Sequence, residues 1–101
     1  MKSDIVHEDE ELVAINDINP QAPVHVLIVP RKHIESVQDM KPEDAALMAR
    51  MTLIARSIAG QYKLNEDGYR LVVNHGIHGG QTVPHLHLHI LGGRRMTWPP
   101  G

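Results

Sequence analysis

Three imidazoles recur at every second position in Pro84-His85-Leu86-His87-Leu88-His89-Ile90-Leu91, separated by aliphatic side chains. Successive side chains of an extended strand point to opposite faces, so this spacing gathers His85, His87 and His89 on one face and Leu86, Leu88 and Ile90 on the other. The apolar face belongs to the core, because its burial is favourable while imidazoles tolerate partial solvation. Any one of these histidines alone is accounted for by a solvated amphipathic strand. Three in register are not, since Thr or Val serves a strand better. Imidazole at neutral pH is a nucleophile, an acid–base group or a metal ligand. Strand positions four apart are separated by ~13 Å, whereas ligands to one zinc ion lie ~2 Å from the metal, so His85 and His89 cannot share an ion. The pattern is that of one working imidazole, His87, with a histidine on either side.

The segment Gly76 to Thr82 carries three glycines and runs directly into the histidines. Glycine lets backbone N–H groups approach an oxyanion closely, which makes this loop a candidate phosphate cradle, with Gln81, Thr82 and Asn74 as further polar contacts. Phosphate beside a neutral imidazole suggests attack on phosphorus, a phosphorus–nitrogen intermediate, and hydrolysis in a second step. Two more residues have two readings each. His25, the one polar side chain inside Val24-His25-Val26-Leu27-Ile28-Val29, either hydrogen-bonds a backbone group or stands beside His87 from a neighbouring strand. Asp17 either closes an Asx turn or presents its carboxylate to vicinal hydroxyls.

The elements needed to position these residues are readable in outline. Leu12–Ile15, Val24–Val29, Tyr69–Asn74 and the histidine run read as strands, separated by turn residues such as Asn16-Asp17-Ile18-Asn19-Pro20 and Asn65-Glu66-Asp67-Gly68. The acidic run Glu8 to Glu11 reads as a solvated turn. Pro42 opens the long helix, followed by Glu43 and Asp44 at the positive end of its dipole. Leu47, Met51, Ile54 and Ile58 form its predicted core stripe, flanked by Met48, Ala55 and Tyr62. A second stripe of Ala46, Ala49, Leu53 and Gly60 would let another helix approach closely, which predicts a two-fold dimer. The expected fold is α+β, an antiparallel sheet of four to five strands with one long helix, in a single domain spanning residues 1–101.

Composition narrows the function classes. The 101 residues carry a formal net charge of -2, which provides no long-range attraction for nucleic acid or anionic membrane. Cysteine is absent, so thiolate nucleophiles, disulfides and thiolate metal sites are excluded. No apolar run approaches the ~18 residues of a membrane span and no signal-peptide core is visible, so a cytoplasmic location is expected.

His-Leu-His-Leu-His-Ile-Leu resembles the H-φ-H-φ-H-φ-φ motif (φ, apolar) of the histidine triad superfamily. The ending Leu-Gly-Gly-Arg-Arg-Met-Thr-Trp-Pro-Pro-Gly is similar to that of its nucleotide-binding Hint branch. The likeness continues through Asp17 to His25, Val29 to Ile34, Gly68 to Asn74 and Gly79 to Thr82, and so spreads from about Asp4 to Gly101. The resemblance implies the HIT-like fold, a homodimer, and cleavage of purine nucleoside phosphoramidates such as adenosine 5'-monophosphoramidate to AMP and an amine. It assigns His87 as nucleophile, its second ring nitrogen held by the His85 backbone carbonyl. His89 would meet a phosphate oxygen or help protonate the leaving group, and His25 would orient the scissile group. Asp17 would hold the ribose with Ile18 near the base, and Leu88, Asn74, Gly80, Gln81 and Thr82 complete the substrate set. No cofactor and no metal are expected. In zinc-containing relatives the histidines matching His33 and His85 join two cysteines around a metal, and without cysteine both are expected to serve as hydrogen-bonding residues. Thr82 stands where Hint proteins commonly have Ser. The short N-terminal helix that precedes Ser3-Asp4-Ile5-Val6 in such proteins, with its contribution to the base pocket, is expected to be absent. Two other functions compete: a nucleotide-binding adaptor with little turnover, and a metal-dependent hydrolase built on His85 and His87, which lacks a nearby carboxylate to complete the ligand set.

Overall fold

The computed structural model describes residues 4–101; the expectation about an N-terminal helix lies outside them. Five strands form one antiparallel sheet: β1 (Ile5–Glu8), β2 (Leu12–Asn16), β3 (Val24–Pro30), β4 (Tyr69–Val72) and β5 (Leu88–Gly92), in the spatial order β1-β2-β3-β5-β4. One long helix, α1 (Ala45–Gln61), lies against β3 and β5, and a single helical turn, α2 (Gly76–Gly79), precedes the histidine segment. The class is therefore the expected α+β. No helix among the described residues is long and apolar enough to cross a membrane.

The core lies between the sheet and α1. Leu12 and Ala14 of β2, Val26 and Ile28 of β3, and Leu88 and Ile90 of β5 alternate with residues on the opposite, open face. From α1 the fully buried side chains are Met51, Ala55, Ile58 and Ala59, while Leu47 and Ile54 are only partly buried and Tyr62 is exposed. The predicted core stripe is thus rotated toward two alanines. Side chains no larger than Ala at the centre of the contact let the helix axis come close to the sheet. Ala46, Ala49 and Leu53 lie exposed on the far side.

The helix begins as the pattern predicts, with a tight turn at Pro42–Asp44. Asp44 is buried at that end, its carboxylate accepting from Lys41 N at 2.9 Å and from Lys32 Nζ at 2.6 Å, and these partners hold it below the ordinary carboxylate range.

β1 supplies the fifth strand, within the expected four to five. Two expectations need correction. The acidic run beside β1 is more than a solvated turn. Asp9 accepts from Glu11 N and Leu12 N at 2.7 and 2.8 Å, meets His7 Nε2 at 2.6 Å and pairs with Arg50 on α1. The histidine strand is also shorter than its alternation suggested, because the ladder begins only at Leu88. Ile28 pairs with Leu88, and the same register carried two residues further would set Leu86 opposite Pro30, which has no N–H to donate. Leu86 N turns instead to the Ile34 carbonyl at 2.6 Å. His85 to His87 therefore lie before the paired strand.

Candidate active site

His25 and His89 face each other across β3 and β5, on the side of the sheet away from α1. Leu27 pairs with His89 and His25 with Leu91, so the two imidazoles are diagonal neighbours, and His25 Nε2 lies 2.9 Å from His89 Nδ1. His87 follows on the same face, its ring centroid 4.9 Å from that of His89. Asp17 Oδ2 lies 3.4 Å from His25 Nε2.

The surrounding hydrogen bonds assign the tautomer of each ring. Gln21 N donates to His25 Nδ1 at 3.0 Å, so the proton of neutral His25 is on Nε2. That proton is donated to His89 Nδ1, which leaves the His89 proton on Nε2. His89 Nε2 is buried and has no hydrogen-bond partner among the described residues. His87 Nδ1 donates to the His85 carbonyl at 2.7 Å, leaving the Nε2 lone pair free. His85 Nε2 donates to the Pro30 carbonyl at 2.8 Å, so its Nδ1 accepts from His33 Nδ1 at 3.2 Å. The site thus presents one bare imidazole nitrogen, on His87, beside one unpartnered N–H donor, on His89.

Burial holds the pair in this neutral form. Desolvation pushes the His25 pKa down against the opposing pull of Asp17. His89 is pushed down to about 4, first by desolvation, then by His87 and His25, again against Asp17.

Asp17 closes the Asx turn with one oxygen and turns the other to His25: Oδ1 accepts from Asn19 N at 2.8 Å, while Oδ2 faces the imidazole. Ile18 beside it is 82 % exposed. Leu88, named as a substrate contact, has its side chain in the core, on the opposite face from the histidines. Gly80 takes a left-handed conformation at φ 84°, ending the turn α2. Gln81 is engaged internally: Oε1 accepts from Gly76 N at 3.2 Å, and Nε2 donates to the carbonyls of Glu35 and Val83 at 2.7 and 3.1 Å. Its side chain closes the glycine loop and ties it to the segment after β3. Thr82 is exposed, and among the described residues no hydrogen bond joins Asn74, Gly80 or Thr82 to the histidines. Asn74 lines a groove of about 490 Å³ with Val72, Leu91, Met96 and Thr97. Two contributors had gone unrecognised, the backbone of Gln21 and the carbonyl of Pro30. A proline closing a strand signals an unpaired partner opposite, but which side chain takes its carbonyl is a tertiary matter.

The ligand atoms of Asp17, His25 and His89 lie within 4.8 Å of one another, close enough to hold a cation. Gln21 N–H argues against that use. A metal on His25 Nε2 would move the ring proton to Nδ1, where it would meet another donor. His33 and His85 likewise fit hydrogen bonding, since His85 Nε2 is occupied by Pro30 and the thiolates are missing.

A sheet presenting an ordered array of histidines on its open face defines a protein of the histidine triad type. The chain belongs to the HIT family: the HIT domain model matches residues 1–96. An uncharacterised HIT-like protein of Synechocystis is 50% identical over 97 residues, covering 96% of this chain and 84% of that one. The crystal structure of a HIT family hydrolase from Legionella pneumophila superposes with a TM-score of 0.97 at 48% identity, covering 100% of this chain and 90% of the other. A hypothetical histidine triad nucleotide-binding protein from Sulfolobus tokodaii matches with a TM-score of 0.79 at 32% identity, over 98% and 66% of the two chains.

Proposed function

We propose that this protein is a purine nucleoside phosphoramidase that hydrolyses adenosine 5'-monophosphoramidate and related substrates through a nucleotidyl-histidine intermediate. The observation that carries the reading is the pairing of a free lone pair on His87 Nε2 with an orphaned donor on His89 Nε2. The hydrolase from Legionella and the nucleotide-binding protein from Sulfolobus support the reaction type and the ligand class.

His87 Nε2 attacks phosphorus, and the amine leaves with the electron pair of the P–N bond and a proton from solvent. The Nδ1–H···O=C bond to His85 stabilises the positive charge that develops on the ring. His89 Nε2–H donates to a phosphoryl oxygen, where negative charge is greatest. With its pKa near 4, His89 is neutral at pH 7 and has no extra proton to hand to the leaving group. Water then attacks phosphorus and gives up a proton to solvent, the P–Nε2 bond breaks with its electron pair returning to nitrogen, and AMP departs with His87 restored. Asp17 Oδ2 accepts from a ribose hydroxyl, with exposed Ile18 flanking the base. The exposed stripe of Ala46, Ala49 and Leu53 is assigned to a homodimer contact, and the protein to the cytoplasm.

The test is mass spectrometry of protein quenched shortly after mixing with adenosine 5'-monophosphoramidate, with AMP release followed in parallel, for wild type and His87→Ala. An adenylyl adduct and turnover, both lost in the variant, are expected. AMP binding with neither adduct nor turnover in the wild type would replace this reading with that of a nucleotide-binding adaptor.

A further inference from the structure

The His25–His89 pair could be protonated in the opposite sense without losing its side-chain hydrogen bond. With the His25 proton on Nδ1, its Nε2 would accept from His89 Nδ1–H, and His89 Nε2 would become a bare lone pair. An approaching phosphoryl oxygen would then meet repulsion where the present arrangement offers a hydrogen bond. Two groups break this degeneracy. One is the Asp17 carboxylate, 3.4 Å from His25 Nε2. The other is Gln21 N–H, whose 3.0 Å contact requires His25 Nδ1 to be an acceptor.

Gln21 stands in an exposed loop between β2 and β3, so its amide direction needs an external anchor. Arg94, immediately after β5, provides one: Nε and Nη2 both donate to the Gln21 carbonyl, at 3.2 and 3.0 Å. The glycines before it make that reach possible. Gly93 adopts φ +90°, and a Cβ there would lie 2.8 Å from Pro23 Cβ, so only glycine lets the chain pass against this loop. A Cβ on Gly92 would lie 2.6 Å from buried Leu64 Cδ1. The proposed chemistry leaves this segment without a role.

We infer that Arg94 is a positioning residue: by clamping the Gln21 carbonyl it fixes the 21–22 peptide, and through the shared Cα restrains the adjoining peptide whose Gln21 N–H points at His25, and so sets the proton of His89 toward the substrate phosphate, two imidazoles away. The inference rests on the reading of His89 as the phosphate-facing donor, but the tautomers themselves are measurable without substrate.

The experiment is long-range ¹H–¹⁵N correlation spectroscopy of protein labelled with ¹⁵N-histidine at pH 7, which distinguishes protonated from bare ring nitrogens. In the wild type, Nδ1 of both His25 and His89 should read as unprotonated. In Arg94→Met both should shift toward a mixture of tautomers, partial because Asp17 still favours the present one. Because the present tautomer remains the major one, kcat should fall by no more than about twofold, with KM little changed. Arg94→Lys, which keeps one donor, should recover most of the wild-type spectrum, and Arg95→Met, which removes the neighbouring charge, should not alter it. Gln21→Pro deletes the N–H itself and gives the same readout should Arg94→Met fold poorly. Unchanged nitrogen shifts at both histidines in Arg94→Met, or in Gln21→Pro if that variant must stand in, would overturn the inference. Shifted tautomers in a protein that never forms an adenylyl adduct would uphold the clamp and reject the phosphoramidase reading instead.

Discussion

The His85 ring reaches the last residue of β3, its Nε2–H donating to the Pro30 carbonyl 2.8 Å away, while its own carbonyl accepts from His87 Nδ1 at 2.7 Å. One histidine therefore links a strand end that cannot continue its ladder to the orientation of the candidate nucleophile. Replacing His85 with Phe keeps the ring volume but leaves the buried Pro30 carbonyl unpaired. We expect a loss of about 1–3 kcal/mol in stability, the usual cost of an orphaned buried group, seen as a lower denaturant midpoint. The rate of adenylylation should fall about tenfold as the His85 carbonyl loses its fixed position. A variant with wild-type values for both would remove His85 from this role.

The neutral state of the His25–His89 pair predicts a pH window of instability. Both folded-state pKa values lie below the ordinary value of 6.5, that of His89 at about 4. Between those limits the unfolded chain binds more protons, so stability falls as pH drops from 6.5 toward 4 and this contribution levels off below. The size of the His89 effect is at most about 3 kcal/mol. Asp9 and Asp44 are shifted below the carboxylate value of 3.8, so their contributions begin to be lost only below about pH 5 and add to the decline at the acid end of this window. Thermal midpoints measured from pH 7 to 4 should decline in the wild type and less steeply in His89→Asn. A flat wild-type profile would contradict buried neutral imidazoles.

Leu88 separates packing from recognition. Its side chain is 4 % exposed on the core face, so Leu88→Ala should destabilise the fold by about 2–5 kcal/mol. KM for a phosphoramidate should hardly change, provided the assay is run where the variant remains folded. A large rise in KM with little loss of stability would place Leu88 in the substrate pocket after all.

Asp17 divides its carboxylate between a turn and the open face. Asp17→Asn keeps an oxygen for Asn19 N and so preserves the Asx turn, but offers a ribose hydroxyl only a neutral partner. A hydrogen bond to a charged group contributes about 1.5–3 kcal/mol, so kcat/KM should fall roughly 10- to 100-fold. The 2'-deoxy substrate, already lacking one hydroxyl, should lose less. Equal losses on both substrates would argue that Asp17 acts on His25 alone.

What the sequence by itself determined is local. The alternation of His85, His87 and His89 with Leu86, Leu88 and Ile90 assigned the aliphatic side chains to the core, and within β5 it put His89 on the face opposite Leu88 and Ile90, because successive strand side chains point to opposite faces. Pro42 and the residues after it marked the start of α1, and the absence of cysteine removed thiolate chemistry. Where local pattern failed, a neighbour distant in the chain had intervened. Ala55 and Ala59 became core because the helix rests closely on the sheet, and β5 begins late because its register meets Pro30. The tautomers of His25 and His89 were decided by tertiary structure alone. His25 and His89 are 64 positions apart, and Arg94 and Gln21 are 73. Periodicity says which way a side chain points along its own element, but not which loop amide will stand opposite a ring nitrogen. In this protein that amide determines which imidazole offers a proton and which a lone pair.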